Sequence, residues 1–484
     1  MKLAYDRILL VHPLGYNPQA AGRDISRMAN LMPPLGLASI AAWLEKRGLH
    51  ADLLDCYATP DTAETLLREQ LLSTRPAWIG FSCTTSSFLD GVRLSQLVKS
   101  ILPGIRSVFG GPHISALKTE VLERFPDVDY AIVGEGEEAI EDLMLRGLEE
   151  PATVGGLVWR DGEEIRFNGY RKSVLELDAM PFPAYEKLHG YPHLYKLPIF
   201  NYPKAPNSSC ISSRGCPYSC SYCDRSVFGR SFRYNSATYL YEHLAYLRRR
   251  FGIRHINFYD DQFTFHRQRV EEFCQLLLQK PLGMTFNCAV RAEHVDPPLL
   301  KLMKAAGCWM VSLGIETGDP ELLARHRQNA DLDMLATKIR HMKGAGIRVK
   351  GLLMMGLPGE SRASIQRSMD YVRSLPIDDF NLSKFTPFPG SPIYQDIQNQ
   401  GIFHEDWAKM DCMHFLFIPH GMEKEELEAL FTEYYKRHYT RPSVLLDYVT
   451  MLWRSPDSWR RFLLNFKDFA QFARSNRRLA EMEE

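Results

Sequence analysis

Short apolar runs alternate with amphipathic stretches along most of the chain. Residues 7–12 (RILLVH) form an apolar run of strand length. After Pro33-Pro34, the stretch LGLASIAAWLEKRG repeats its apolar positions at helical spacing and stops at Gly48. The same alternation predicts strands near 50–54, 77–82, 105–109 and 129–133, with helices over 61–73, 88–102, 115–125 and 136–148. Strands that are apolar on both faces and separated by helices imply a parallel sheet covered on both sides. Residues 1–150 are thus expected to form an α/β, doubly wound, Rossmann-like domain. The period breaks over 151–205, where GLVWRDGEEIRFNG reads as a hairpin and Pro181, Pro183, Pro192, Pro198 and Pro203 punctuate a linker. Strands are expected again at 254–259, 284–290, 309–314, 347–353 and 378–384. With one more strand before a cysteine-rich loop they make six, fitting a partial (β/α)6 barrel over 206–395. Residues 396–484 read as a helical C-terminal region.

Parallel sheets and barrels bind ligands beyond the carboxyl ends of their strands. In the first domain those ends carry Ser82, Thr84 and Thr85, then Gly110-Gly111-Pro112-His113, then Gly134-Glu135-Gly136. Glycines there let backbone approach a large flat ligand, although glycine also serves any tight turn. In the second domain the ends carry Asp260-Asp261, Arg291, Glu316 and Gly356. Between the two sets, SCISSRGCPYSCSYCDRSVFGRSFRYN holds Cys216, Cys220 and Cys223 in C-x3-C-x2-C spacing, with Tyr222 before the last thiol. Three such thiolates can hold three irons of a cubane cluster and leave the fourth iron open. A zinc knuckle and three unconnected cysteines are the alternatives. Zinc would need a fourth ligand, and Cys210 and His243 lie outside the usual zinc spacings.

Composition narrows the class. A chain of 484 residues suggests two to four domains, and zero formal net charge gives no reason to expect nucleic acid. Ten cysteines, three of them clustered, suit a reducing cytoplasm and a metal site better than a disulfide framework. No apolar run has the length of a membrane span.

The CxxxCxYC loop followed by strand–helix repeats resembles the radical S-adenosylmethionine (SAM) enzymes. The GGPH and VGEGE loops before it are similar to those of cobalamin-binding domains. Together they resemble the cobalamin-dependent radical SAM family, which includes class B methylases and the anaerobic magnesium-protoporphyrin ester cyclase. The likeness covers roughly residues 5–395. It implies a [4Fe–4S] cluster on Cys216, Cys220 and Cys223 with SAM on the open iron. Asp260 and Asp261 would meet the SAM ammonium, Arg291 its carboxylate and Glu316 the ribose, with Tyr222 and Gly356 bordering the adenine. It also implies cobalamin among Ser82, Thr84, Thr85, Gly110, Gly111, His113, Gly134, Glu135 and Gly136. D-x-H-x-x-G is missing: His12, His50 and His113, the histidines before residue 150, do not fit it. Base-off cobalamin without a histidine ligand is therefore implied.

The implied activity is reductive cleavage of SAM to a 5′-deoxyadenosyl radical, followed by methylation of an unactivated carbon. Oxidative cyclisation without methyl transfer is the second reading, and a non-catalytic cobalamin or redox sensor the third. A small-molecule or lipid-like substrate and an external one-electron donor, flavodoxin or ferredoxin, would be the partners. The C-terminal stretch SWRRFLLNFKDFAQFARSNRR places Trp459, Phe462, Phe466, Phe469 and Phe472 at helical spacings among many arginines. It reads either as a helix packed on the barrel with a solvated basic face, or as a peripheral membrane foot or substrate lid.

Overall fold

The apolar runs become two parallel sheets. In the computed structural model, which describes residues 3–15, 30–171, 176–327 and 329–467, the first sheet begins with β1 (Ala4–His12), β2 (His50–Asp55), β3 (Pro76–Ser82), β4 (Arg106–Gly110) and β5 (Tyr130–Ile132). It is completed by β6 (Leu157–Asp161) and β7 (Glu164–Phe167), in the order β2-β1-β3-β4-β5-β6-β7. The first five strands pair in parallel, with β3 central and buried from Pro76 to Phe81. A strand buried on both faces has no polar side to show, which is why its sequence does not alternate. The expected hairpin forms, but β6 pairs antiparallel with β5 and so extends the sheet instead of belonging to the linker.

The second sheet curls into a half-barrel. Its strands are β8 (Asn207–Cys210), β11 (His255–Phe258), β12 (Thr285–Val290), β13 (Cys308–Glu316), β14 (Arg348–Met355) and β15 (Asp379–Lys384), all parallel to their neighbours. The helices between them start on built caps. Asp296, Asp319 and Asp331 each accept from backbone N–H groups of the first turn, and Ser361 with Ser364 makes a capping box. Between β8 and β11, β9 (Ser213–Arg214) pairs antiparallel with β10 (Arg233–Tyr234) and closes the cysteine loop at its base.

The region after 396 is not helical from its start. β16 (Gly401–Phe403) and β17 (Phe417–Pro419) form a ribbon whose intervening loop reaches the first domain, where Trp407 packs 4.5 Å from the His113 ring. Helices Lys424–Tyr439, Pro442–Arg454 and Pro456–Leu464 follow. The first runs along β15, from Glu428 on Lys384 at the strand's carboxyl end to Tyr439 at its amino end, and the next meets the barrel at the amino end of β14. Asp447 pairs with Arg348, the first residue of β14, at 2.6 Å, and Tyr439 donates to Asp379, the first residue of β15, at 2.6 Å. Ligands gather at the opposite end of such a barrel, so the last two helices are not placed as a substrate lid. Trp459 and Phe462 turn inward onto Phe200, whereas Phe469 and Phe472 lie outside the described residues.

Candidate active site

The cysteine loop is held by the barrel from three sides. Gly215 enters it at φ +85°, and an added Cβ would collide with the Ser231 carbonyl oxygen. The Ser221 hydroxyl lies 2.8 Å from His326 Nδ1, and His326 Nε2 lies 2.9 Å from the Pro358 carbonyl oxygen. Ile393 N–H donates to the Ser221 carbonyl oxygen at 3.0 Å, so the segment after β15 also pins the loop. No cysteine is in a disulfide; the three thiols are half-buried, whereas Cys56, Cys83, Cys210, Cys274, Cys288 and Cys308 are buried. Burial, Asp261 and the two neighbouring thiols push Cys223 up to about 12; burial and then Asp261 raise Cys216 as well. Among the described residues no three His, Cys, Asp or Glu converge on one point, as a single metal ion requires. A cubane needs no such convergence, because each thiolate binds its own iron.

Around this loop the two acids Asp260 and Asp261 part ways. Asp260 points away from the thiols: its carboxylate accepts from Ser212 N–H at 2.6 Å and from the Ser212 hydroxyl, with buried Arg269 at 3.6 Å. Asp260, expected to meet the SAM ammonium, thus has its carboxylate engaged by Ser212 and Arg269. Asp261 is exposed at the cleft with its charge within reach of Cys216 and Cys223, and partial desolvation followed by the charge of Asp260 raises its pKa.

Arg291 is buried, 2.6 Å from Glu293, with its guanidinium carbon 3.7 Å above the Tyr218 ring. Glu316 ends β13 at φ +67°, a conformation a non-glycine residue adopts only where surroundings compel it. Its carboxylate lies 3.8 Å from Arg327 and interacts with the Tyr222 hydroxyl, which also interacts with Cys220. Arg327 was missed in the sequence because it follows a helix, not a strand. Only the fold brings it beside Glu316, where it donates to the Gly314 carbonyl oxygen.

Gly356, at φ +91°, continues from β14, and its N–H donates to the buried Glu360 carboxyl, as does Leu357 N–H at 3.2 Å. Burial, opposed by these amides and assisted by Asp319, pushes Glu360 from 4.5 up to about 8. A carboxyl with a raised native pKa keeps a proton that the unfolded chain has released. Stability should therefore fall as pH rises from about 4.5 to about 8. Thermal melts across that window should show the slope in the wild type and a flatter profile in Glu360→Gln. An unchanged slope in the variant would assign it to another group.

A cleft lies between the two sheets' carboxyl ends, with about 1350 Å³ of empty space counting its open side. Ser82, Gly110, Gly111, Gly134, Glu135 and Gly136 line it from the first domain, and Ser213, Arg214, Val227, Phe228, Tyr259 and Asp261 from the barrel. The wall is bare where a flat ligand would lie. An added Cβ on Gly36 would meet nothing within 4 Å, and on Gly110 only the Ile132 carbonyl oxygen at 4.0 Å. Thr84, Thr85 and His113 point elsewhere. Thr84 is exposed and bonds Ser86 and Ser87, while Thr85 bonds His113 Nδ1 at 3.2 Å. His113 is buried against Phe88 and Trp407, and burial lowers its pKa to about 3. A histidine that does line the cleft, His243, has both ring nitrogens engaged, with Cys210 at 3.3 Å and Tyr185 at 3.2 Å.

Glu135 also ties the domains together. Glu135 and Glu137 grip Arg214, and Glu135 also holds Arg233, so the ends of the cysteine loop are bonded to the loop after β5.

Comparison with known proteins gives the same two units. The radical SAM superfamily matches residues 210–372, and the B12 binding domain matches residues 25–144. An uncharacterized methyltransferase of Pyrococcus horikoshii is 25% identical over 418 residues, covering 86% of this chain and 89% of its own. The anaerobic magnesium-protoporphyrin IX monomethyl ester cyclase of Rubrivivax gelatinosus is 26% identical over 450 residues, covering 91% and 78%. Among solved structures, the radical S-adenosylmethionine methyltransferase TsrM of Kitasatospora setae, with cobalamin and a [4Fe–4S] cluster bound, shares the fold. The TM-score is 0.65 at 18% identity, over 83% of this chain and 76% of that one. The chain thus joins a B12-binding domain to a radical SAM domain, with the cysteine loop between them.

Proposed function

We propose that the protein is a cobalamin-dependent radical SAM methyltransferase acting on an unactivated carbon of a small-molecule substrate. The observation that carries this reading is the position of Asp261: it lines the cleft bordered by the glycine loops of the first domain, and its charge reaches Cys216 and Cys223. The two halves of the chemistry thereby share a wall. When bound, the cluster with SAM supplies a 5′-deoxyadenosyl radical and cobalamin supplies a methyl group.

The chain's own residues bind and orient these groups. Cys216, Cys220 and Cys223 would hold three irons. Arg291, steadied by Glu293 and Tyr218, offers a guanidinium fork to the SAM carboxylate, and Asp261 accepts from its ammonium. Glu316, kept in place by Arg327, accepts from the ribose hydroxyls. Gly110, Gly111, Gly134 and Gly136 would flank the corrin, and the engaged nitrogens of His243 favour cobalamin without a protein histidine on cobalt. An external one-electron donor such as flavodoxin or ferredoxin completes the system.

Cyclisation without methyl transfer is the second reading, favoured by the likeness to the Rubrivivax cyclase over 91% of the chain. Product analysis under reducing, anaerobic conditions with a small-molecule extract separates the two. S-adenosylhomocysteine together with 5′-deoxyadenosine is the expected result. Deoxyadenosine alone would give the cyclase reading. Neither product from cluster-replete protein would overturn both and leave a cobalamin or redox sensor.

A further inference from the structure

The helix Pro442–Arg454 has two faces. Val444 and Met451 are buried, and Asp447 reaches inward to Arg348. Leu445, Leu446, Val449, Leu452 and Trp453 are exposed, Leu446 at 66% and Trp453 at 76%. Their spacing of i, i+1, i+4, i+7 and i+8 makes one stripe along the helix. The next helix adds Leu463 and Leu464, with Phe466 just beyond, and leaves Leu464 at 74% exposure. Isolated exposed leucines need no explanation, but a stripe of this extent marks a surface that something covers.

Charge on the same two helices points to what covers it. Their acids are used inside: Asp447 pairs with Arg348, and Asp457 accepts from the Tyr202 hydroxyl at 2.7 Å. Arg454, Arg460 and Lys467 are exposed. Arg454 is 3.7 Å from Asp447 yet keeps 58% of its side chain in solvent. An apolar stripe with a terminal tryptophan and bordering cations matches the headgroup–acyl boundary of an anionic bilayer. A second copy packed on the same stripe would bring these cations against their own equivalents. No helix among the described residues is long and apolar enough to cross a membrane, so the helices would lie on it.

We propose that this face docks the enzyme on anionic lipid surfaces. The docking is a tether separate from the catalytic chemistry, because Asp447 on Arg348 and Asp457 on Tyr202 place the two helices at the amino ends of the barrel strands, opposite the cysteine loop. Cluster-reconstituted full-length protein should co-sediment with vesicles of equal parts phosphatidylglycerol and phosphatidylcholine, and less with phosphatidylcholine alone. Added salt should weaken the binding. Leu446→Glu combined with Trp453→Glu should lower the partition coefficient at least about tenfold, with melting temperature and iron content unchanged. Arg454→Glu with Arg460→Glu and Lys467→Glu should remove the preference for anionic vesicles. Failure of the wild type to bind vesicles, or full binding by the Leu446→Glu, Trp453→Glu variant, would overturn the proposal. A dimer dissolved by that variant, without vesicle binding, would instead assign the stripe to a second copy.

Discussion

Alanine at Cys216, Cys220 or Cys223 should abolish reductive SAM cleavage while leaving the fold intact. The thiols are half-buried on a loop whose anchors are other residues: Gly215, the Ser221–His326 contact and the Ile393 bond. Losing one small side chain there removes little buried surface, so melting temperature should stay close to that of wild type. The chemistry has no such reserve. Substituting even an outer partner of a metal ligand costs about 10–100-fold, so losing a direct ligand should lower 5′-deoxyadenosine formation by more than about 100-fold. Iron and sulfide analysis beside a deoxyadenosine assay checks both parts. Normal iron loading and normal cleavage in any one variant would remove that thiol from the cluster.

Asp260→Ala should fail in the opposite way, by losing stability. The Asp260 side chain is buried and accepts from two Ser212 donors, with Arg269 as its charge partner. Arg269 is itself 2% exposed, so alanine at 260 strands a guanidinium in the interior. Breaking a buried pair from one side costs about 3–5 kcal/mol. Asp260→Asn keeps the shape and one acceptor, and should cost less. Asp261→Ala is the contrast. Asp261 is exposed at the cleft, so its loss should spare stability while weakening SAM binding. Urea unfolding and SAM titration distinguish the pair. An Asp260→Ala protein with wild-type stability but no SAM binding would return Asp260 to the ammonium.

The two acids mark the limit of reading this chain by position. Adjacent residues at one strand end share every sequence signal, yet successive side chains of an extended backbone point to opposite sides. Asp260 turned toward Arg269, a partner supplied by the next helix, and Asp261 into the cleft. His113 shows the same thing across a longer distance. At the end of β4 it looked placed for a ligand, but Thr85 and Trp407 enclose it, and Trp407 comes from a loop nearly three hundred residues later.

The sequence by itself determined what depends on local pattern. Buried parallel strands require continuous apolar runs, so both sheets and their order of elements were legible, as was the spacing of the three cysteines. The tertiary structure decided what depends on contacts between distant segments. It attached the hairpin β6–β7 to the first sheet, because β5 presented an open edge. It brought Arg327 to Glu316 and bound Glu135 to Arg214 and Arg233. It set Trp459 and Phe462 inward on Phe200 and left the leucines of 442–454 outside. Helical periodicity gives the angle between two faces, but which face meets the barrel is set by partners such as Arg348, whose position no local pattern carries.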